Sequence, residues 1–366
     1  MSMQRHHIVG LGALLSLALI AAGSAARRGE GRVRPEALQR SARQHDHGSH
    51  AGDGRGRRAD SPHEIPAAGW RDIVIRVYHA ISEDRVMAVA AGVTYYALLA
   101  LFPALAALVS IYALFADPMT VRDHLDVVSG FLPAEGLQLV GDQISRIAEK
   151  QEGKLGLGFA VGLAVSLWSA NAGMKAIFDA LNVVYGEREK RSFLHLNAIT
   201  LLFTAGAILV FLLAIGALVV LPIALKYLPI PGGTEVLMRI LRWPALLVAV
   251  AAALAVIYRY GPSRGRPRWR WVTPGSAAAS VIWLIGSLIF SWYAANLGNF
   301  DETYGSLGAV VGFLLWLWLS SVVVLLGAEL DAEMEHQTAR DSTEGPAKPM
   351  GARGATMADT VGARQG

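Results

Sequence analysis

The 366 residues are 53% hydrophobic and 17% charged, against about 25% charge in a soluble globular chain, and the mean hydropathy is +0.39. This composition argues against a soluble globular protein and for one that lives in a membrane. A formal net charge of +4 then speaks to orientation rather than to a nucleic-acid partner, and the absence of cysteine excludes disulfides, thiolate nucleophiles and cysteine-ligated metals.

Residues 1–26 place Arg5, His6 and His7 before a 19-residue apolar stretch, Ile8 to Ala26, that ends in small residues. This reads as a signal peptide or an N-terminal anchor helix. Residues 27–69 follow as a disordered linker, because nine arginines between Arg27 and Glu64 are mixed with Gly, Ser and His and almost no aliphatic bulk. Cleavage would leave these arginines outside, against the rule that keeps basic segments inside, so an uncleaved anchor fits better. Beside a membrane the arginines would attract anionic lipid headgroups, at about 1 kcal/mol per basic residue, a simpler account than nucleic acid. His45, His47, His50 and Asp53 in the same tract read as solvated residues rather than a metal site.

From residue 70 to 335 the chain reads as an all-α, polytopic membrane helix bundle. Six apolar runs supply its core transmembrane helices: Val86–Phe115, Leu155–Asn182, Leu196–Leu225, Pro244–Ile257, Val272–Ala295 and Ser306–Ala328. The fourth is short and needs Leu237–Trp243 or Tyr258–Tyr260 to complete its length. Loop 258–271 holds five arginines and lysines, loop 184–195 holds three, and loop 294–305 holds none. The first two are therefore expected in the cytoplasm and the third outside, with both ends of the core cytoplasmic. Loop 117–154, helix-like from Leu137 to Lys150, would lie outside, and residues 336–366 are expected to form a disordered cytoplasmic tail.

Polar residues stand out against these runs. At about 100° per residue, Trp168, Asn171, Lys175, Asp179 and Asn182 form one stripe about 80° wide. A helix from Leu155 to Asn182 would be ~42 Å long against ~30 Å of hydrocarbon, so Lys175 onward is expected at the wet cytoplasmic end, with a Lys175–Asp179 pair. Asn171 lies deeper, as a pathway residue or a bond between helices. In the fifth run Ser276, Ser280, Ser287 and Ser291 share a face with Trp283, either bonding to carbonyls and neighbouring helices or lining a weakly polar path. Thr94 and Tyr95 precede Pro103 in the first run, and Gly158, Gly162, Gly308 and Gly312 are spaced for close helix packing. Glu329, Asp331, Glu333 and Glu335 alternate along the last run and read as its solvated exit. No phosphate loop, nucleophile elbow or HExxH occurs, so no catalytic residue, metal or cofactor is expected.

Several stretches together resemble the YihY/virulence factor BrkB family of bacterial inner-membrane proteins. They are Ala91-Gly-Val-Thr-Tyr-Tyr-Ala-Leu-Leu-Ala-Leu-Phe-Pro103, Leu167-Trp-Ser-Ala-Asn171 with Ala180-Leu-Asn182 and Glu187, Tyr304-Gly-Ser-Leu-Gly-Ala-Val310, and Leu326-Gly-Ala-Glu-Leu330. Where many relatives have a serine after Trp-Ser-Ala, this chain has Asn171. The resemblance implies six membrane helices with cytoplasmic ends in the inner membrane, and it brings the family's old ribonuclease BN label, for which these residues offer no acid/base or metal set. Expected is a non-enzymatic transporter or envelope-maintenance protein for a lipid or small solute, with a membrane scaffold or regulator as the rival and a membrane-bound ribonuclease behind both. Its partners would be the lipid bilayer and anionic headgroups, with self-association into a homo-oligomer left open.

Overall fold

The computed structural model describes residues 54–112, 157–226, 234–296 and 307–365. The elements are α1 Ala67–Glu83, α2 Val86–Tyr112, α3 Leu157–Val184, α4 Phe193–Lys226, α5 Thr234–Tyr260, α6 Thr273–Asn296, α7 Gly308–Gln337 and the single turn α8 Thr356–Asp359. Apart from an isolated bridge between Pro267 and Thr343, all regular structure among the described residues is helical. That is what lipid demands of a chain whose backbone has no water to bond to. The anchor, residues 27–53 and the 137–150 segment lie outside the described residues.

Segments of α2, α3, α4, α6 and α7 are long and apolar enough to cross a membrane; in α5 the apolar part, Pro244–Tyr260, is shorter. The fourth apolar run does extend in both directions, for α5 takes in Leu237–Trp243 and Tyr258–Tyr260 alike. Much of the apolar surface stays uncovered: Leu202 is 70% and Val248 69% exposed, as expected of helices whose other neighbour is lipid. α2 runs unbroken through Pro103.

In space α4 packs on α3, α3 on α2, α2 on α7, α7 on α6 and α6 on α5, while α1 lies against α7 and α2. The helices alternate in direction, so the starts of α2, α4 and α6 meet the ends of α3, α5 and α7 at one charged end. The core is concentrated at that end, where Val86, Ala90, Leu181, Val184, Tyr185, Tyr258, Val272, Ala279, Ala328 and Ala332 form one cluster. Its small residues let backbones approach. Gly275 shows how closely: a Cβ there would sit 2.2 Å from the Gly327 carbonyl oxygen and 2.4 Å from Asp331 Cγ. By contrast, a Cβ on Gly162 would meet nothing within 4 Å, so this expected packing glycine is not at a close contact. Gly308 is buried and Gly312 half-buried.

Two segments expected to be disordered are ordered. Residues 54–66 fold against α1 and α7, with Ala59 and Ile65 packed on Ile73, Trp271 and Met334. Arg55 pairs with the fully buried Asp72 at 2.6 Å, and the amide of Gln365, 293 residues further on, donates to the same carboxylate at 3.1 Å. Burial raises the Asp72 carboxyl, but the Arg55 and Gln365 bonds outweigh it and hold it below the usual aspartate range. The tail is ordered from 338 to 365. Its hub is Arg353, whose guanidinium donates to the carbonyls of Ala358 at 2.5 Å and Ala339 at 2.8 Å. Asp359 in turn accepts the amides of Gly351, Arg353 and Gly354. Charge bonded to backbone replaces the apolar core that this composition lacks.

Candidate functional site

The stripe on α3 divides into parts with different surroundings. Asn171 is fully buried and faces α4, where Thr204 Oγ1 lies 3.4 Å from its Oδ1; its Nδ2 has no hydrogen-bond partner among the described residues. Lys175 turns back toward aromatic rings, with Nζ 5.2 Å from the centre of Trp168 and 5.9 Å from that of Phe193. It makes no ion pair with Asp179, which is exposed. Asn182 is buried rather than wet. It accepts the Ser263 amide at 2.7 Å and donates to Glu189 at 3.2 Å, stapling the α5–α6 loop to the α3–α4 loop.

The serines of α6 do not face a common path. Ser276 and Ser280 are buried and donate to the carbonyls of Thr273 and Ala277, Ser287 accepts from Trp316 of α7 at 3.3 Å, and Ser291 is exposed. Trp283 likewise donates across to Ser320 at 3.0 Å. Thr94 donates to Ala90 within its own helix, and Tyr95 is exposed with its ring edge-on to Tyr96. Asn171 thus belongs to the α3–α4 contact and, of the serines, Ser287 to the α6–α7 contact, so the candidate polar residues form no common path.

Sequence reasoning missed the acids of α7 and the arginines that meet them. Glu329, Asp331, Glu333 and Glu335 are all buried, not a solvated exit. Glu335 takes a two-oxygen bond from Arg264, both at 2.9 Å, with side chains 0% and 1% exposed. Arg264 also lies over the Tyr185 ring, its guanidinium carbon 3.8 Å from the ring centre. Burial lowers the tendency of this guanidinium to stay charged, but Glu335 more than offsets it and raises its pKa above the ordinary value. Glu333 is bonded by Arg76. Asp331 accepts the Gly275 amide at 2.7 Å. Glu329 finds no donor among the described residues, and the acid that approaches it is Asp84. Nothing local in the sequence signals these pairs, since Arg264 and Glu335 are 71 residues apart.

At the same end, a cleft of about 450 Å³ opens between the start of α4 and the end of α5, the two terminal members of the packing series. Its polar wall carries Lys190, Arg191, Arg259, Arg264 and Arg266 with His195, and its apolar wall Ile199, Leu202, Phe203 and Tyr260. No carboxylate lines it. Four of the five cations are paired with acids outside this lining: Lys190 with Glu187, Arg191 with Glu189, Arg259 with Glu344 and Arg264 with Glu335. Arg266, its guanidinium 5.5 Å from the centre of the Tyr260 ring, has no ion-pair partner among the described residues. Arg264 keeps Nε and Nη2 without an acceptor among them. The volume falls in the range of small-molecule pockets, ~300–1,000 Å³.

The rim of this cleft gives a pH test. Burial raises the Glu189 carboxyl, but bonds from the Arg191 guanidinium and amide and from Asn182 outweigh it and bring it from 4.5 down to about 2. A depressed carboxylate contributes stability fully above its unfolded value, and loses it as pH falls through its folded one. Glu189→Gln is therefore expected to melt below the wild type near neutral pH, by a loss on the order of 1–2 kcal/mol. The gap should close as pH falls from 4.5 toward about 2. Melting of the two proteins side by side in detergent checks this; a gap that is constant with pH would refute it.

The virulence factor BrkB family model matches residues 77–351. A relative from Bacillus subtilis named putative ribonuclease-like protein YfkH is 30% identical over 66% of this chain and 87% of its own. UPF0761 membrane proteins from Methylibium petroleiphilum and Nitrosospira multiformis are 27% and 28% identical, over 72% and 70% of this chain. The chain spans 62% and 59% of the lengths of those two proteins. No solved structure matches it.

Proposed function

The chain belongs to the virulence factor BrkB family of membrane proteins, and from this we propose that it works without covalent chemistry, moving an amphipathic lipid or small solute within or across the bacterial inner membrane. The observation that carries this function is the α4–α5 cleft, with a cationic wall at the charged end and an apolar wall on a helix whose outer face is uncovered. Such a site suits a molecule that is polar at one end and apolar at the other. The arginine-rich loops would place this end in the cytoplasm, with both ends of the bundle. Against ribonuclease action, suggested by the name of the Bacillus relative, stands the engagement of the α7 acids: Glu333 and Glu335 are each held by an arginine. Among the described residues no three His, Asp or Glu groups are arranged to hold a metal ion.

Full-length protein in liposomes is expected to speed leaflet exchange of a fluorescent phospholipid several-fold over empty vesicles. Exchange at the empty-vesicle rate, together with no solute flux, would leave the scaffold role standing instead. RNA cleavage by the purified protein, abolished by one substitution in the bundle, would overturn the non-enzymatic function.

A further inference from the structure

We propose that the α4–α5 cleft is a binding site for the phosphate of an anionic phospholipid, with the acyl chains lying along the uncovered face of α4. This rests on the transport function above and names the class of molecule held. Three observations converge on it. The first is charge: every charged residue lining the cleft is cationic, and Arg266, its guanidinium 5.5 Å from the centre of the Tyr260 ring, is left without an ion-pair partner among the described residues. A planar guanidinium free of an acid matches two phosphate oxygens.

The second is the buried Arg264. Its side chain is 1% exposed, it lines the cleft, and only Nη1 is used by Glu335. Nε and Nη2 have no acceptor among the described residues. A buried donor without an acceptor is costly, and a phosphate oxygen supplies what is missing. The third is the opposite wall. Ile199, Leu202 and Phe203 belong to the apolar segment Phe193–Leu213 that is long enough to span a membrane, and Leu202 is 70% exposed. Free phosphate has no use for such a wall; a phospholipid does. Tyr260 and Trp269, in edge contact at 6.3 Å, are of the aromatic types enriched at the headgroup level.

The test measures lipid binding to the detergent-solubilised full chain by native mass spectrometry, with phosphatidylglycerol, phosphatidylcholine and inorganic phosphate as probes. Phosphatidylglycerol is expected to bind at least about fivefold more tightly than phosphatidylcholine, and Arg266→Ala to cost about fivefold, the weight of one basic residue at a lipid surface. Arg266 is exposed, so the variant folds. Arg340→Ala, which removes an exposed arginine paired with Asp60, should change nothing. Equal binding of the two lipids, an equal loss in both variants, or inorganic phosphate binding as tightly as phosphatidylglycerol would overturn the proposal. Selective binding without leaflet exchange would defeat the transport function and leave the site standing. Leaflet exchange without selective binding would do the reverse.

Discussion

Gly275→Ala is expected to separate α6 from α7 and to cost about 2–5 kcal/mol, by overpacking and by the loss of a buried hydrogen bond. The added methyl would lie 2.2 Å from the Gly327 carbonyl oxygen, which is backbone, and 2.4 Å from Cγ of Asp331, whose carboxylate is held by the Gly275 amide. Moving α6 away also breaks the 2.7 Å bond from the Gly275 amide to Asp331, leaving that buried acid without its donor. Gly327 is held as tightly from the other side, since a Cβ there would be 2.5 Å from Ala279 Cβ and 2.7 Å from the Tyr258 hydroxyl. Gly162→Ala is the control, with open space around the added atom. Fluorescence-detected melting in detergent should rank wild type equal to Gly162→Ala and well above Gly275→Ala. Equal melting of all three would mean that α6 and α7 do not touch as described.

The second large effect concerns the pair formed by Arg264 and Glu335. Removing one partner leaves a buried charge uncompensated and is expected to cost about 3–5 kcal/mol, a large share of the roughly 5–15 kcal/mol that holds a protein folded. Arg264→Met and Glu335→Leu should therefore each lower the yield of folded protein sharply. Replacing both with apolar residues, as Arg264→Met with Glu335→Leu, should restore most of the stability, because neither desolvation penalty remains. Full recovery is not expected, since Ser342 Oγ loses its 3.1 Å bond to Glu335. Melting temperatures of the four proteins give the coupling directly. A single Arg264→Met variant as stable as wild type would show that the pair carries nothing.

These two effects mark where the sequence was legible and where it was not. Helices declare themselves because lipid requires long apolar runs, and even the short fourth run implied the flanks that α5 uses on both sides. Contacts between helices do not declare themselves in this way. A search for two glycines four apart on one helix finds Gly158 and Gly162, whereas the tight approach uses one glycine from each of two helices, Gly275 and Gly327.

Charge misled for a related reason. Arg264 in a basic loop reads as a topological signal, and Glu335 after a span reads as a solvated exit; only their meeting, 71 residues apart in sequence, buries both. Asn182 was assigned to water by helix length alone, yet two neighbouring loops close over it. The tail escaped notice because its order comes from Arg353 and Asp359 bonding to backbone, which composition does not register. Of the candidate site, the cations of both loops were visible as charge, but their convergence with the apolar face of α4 required the packing order of the helices.

Asp72 holds a further consequence. Its carboxylate is bonded by Arg55 on one side and by the amide of Gln365 on the other. One of its two donors therefore precedes α1 in the chain, and the other follows α7. The charged face is thus tied together by residues from both ends of the described chain. This contact closes only when the segment beyond α7 has folded back onto α1.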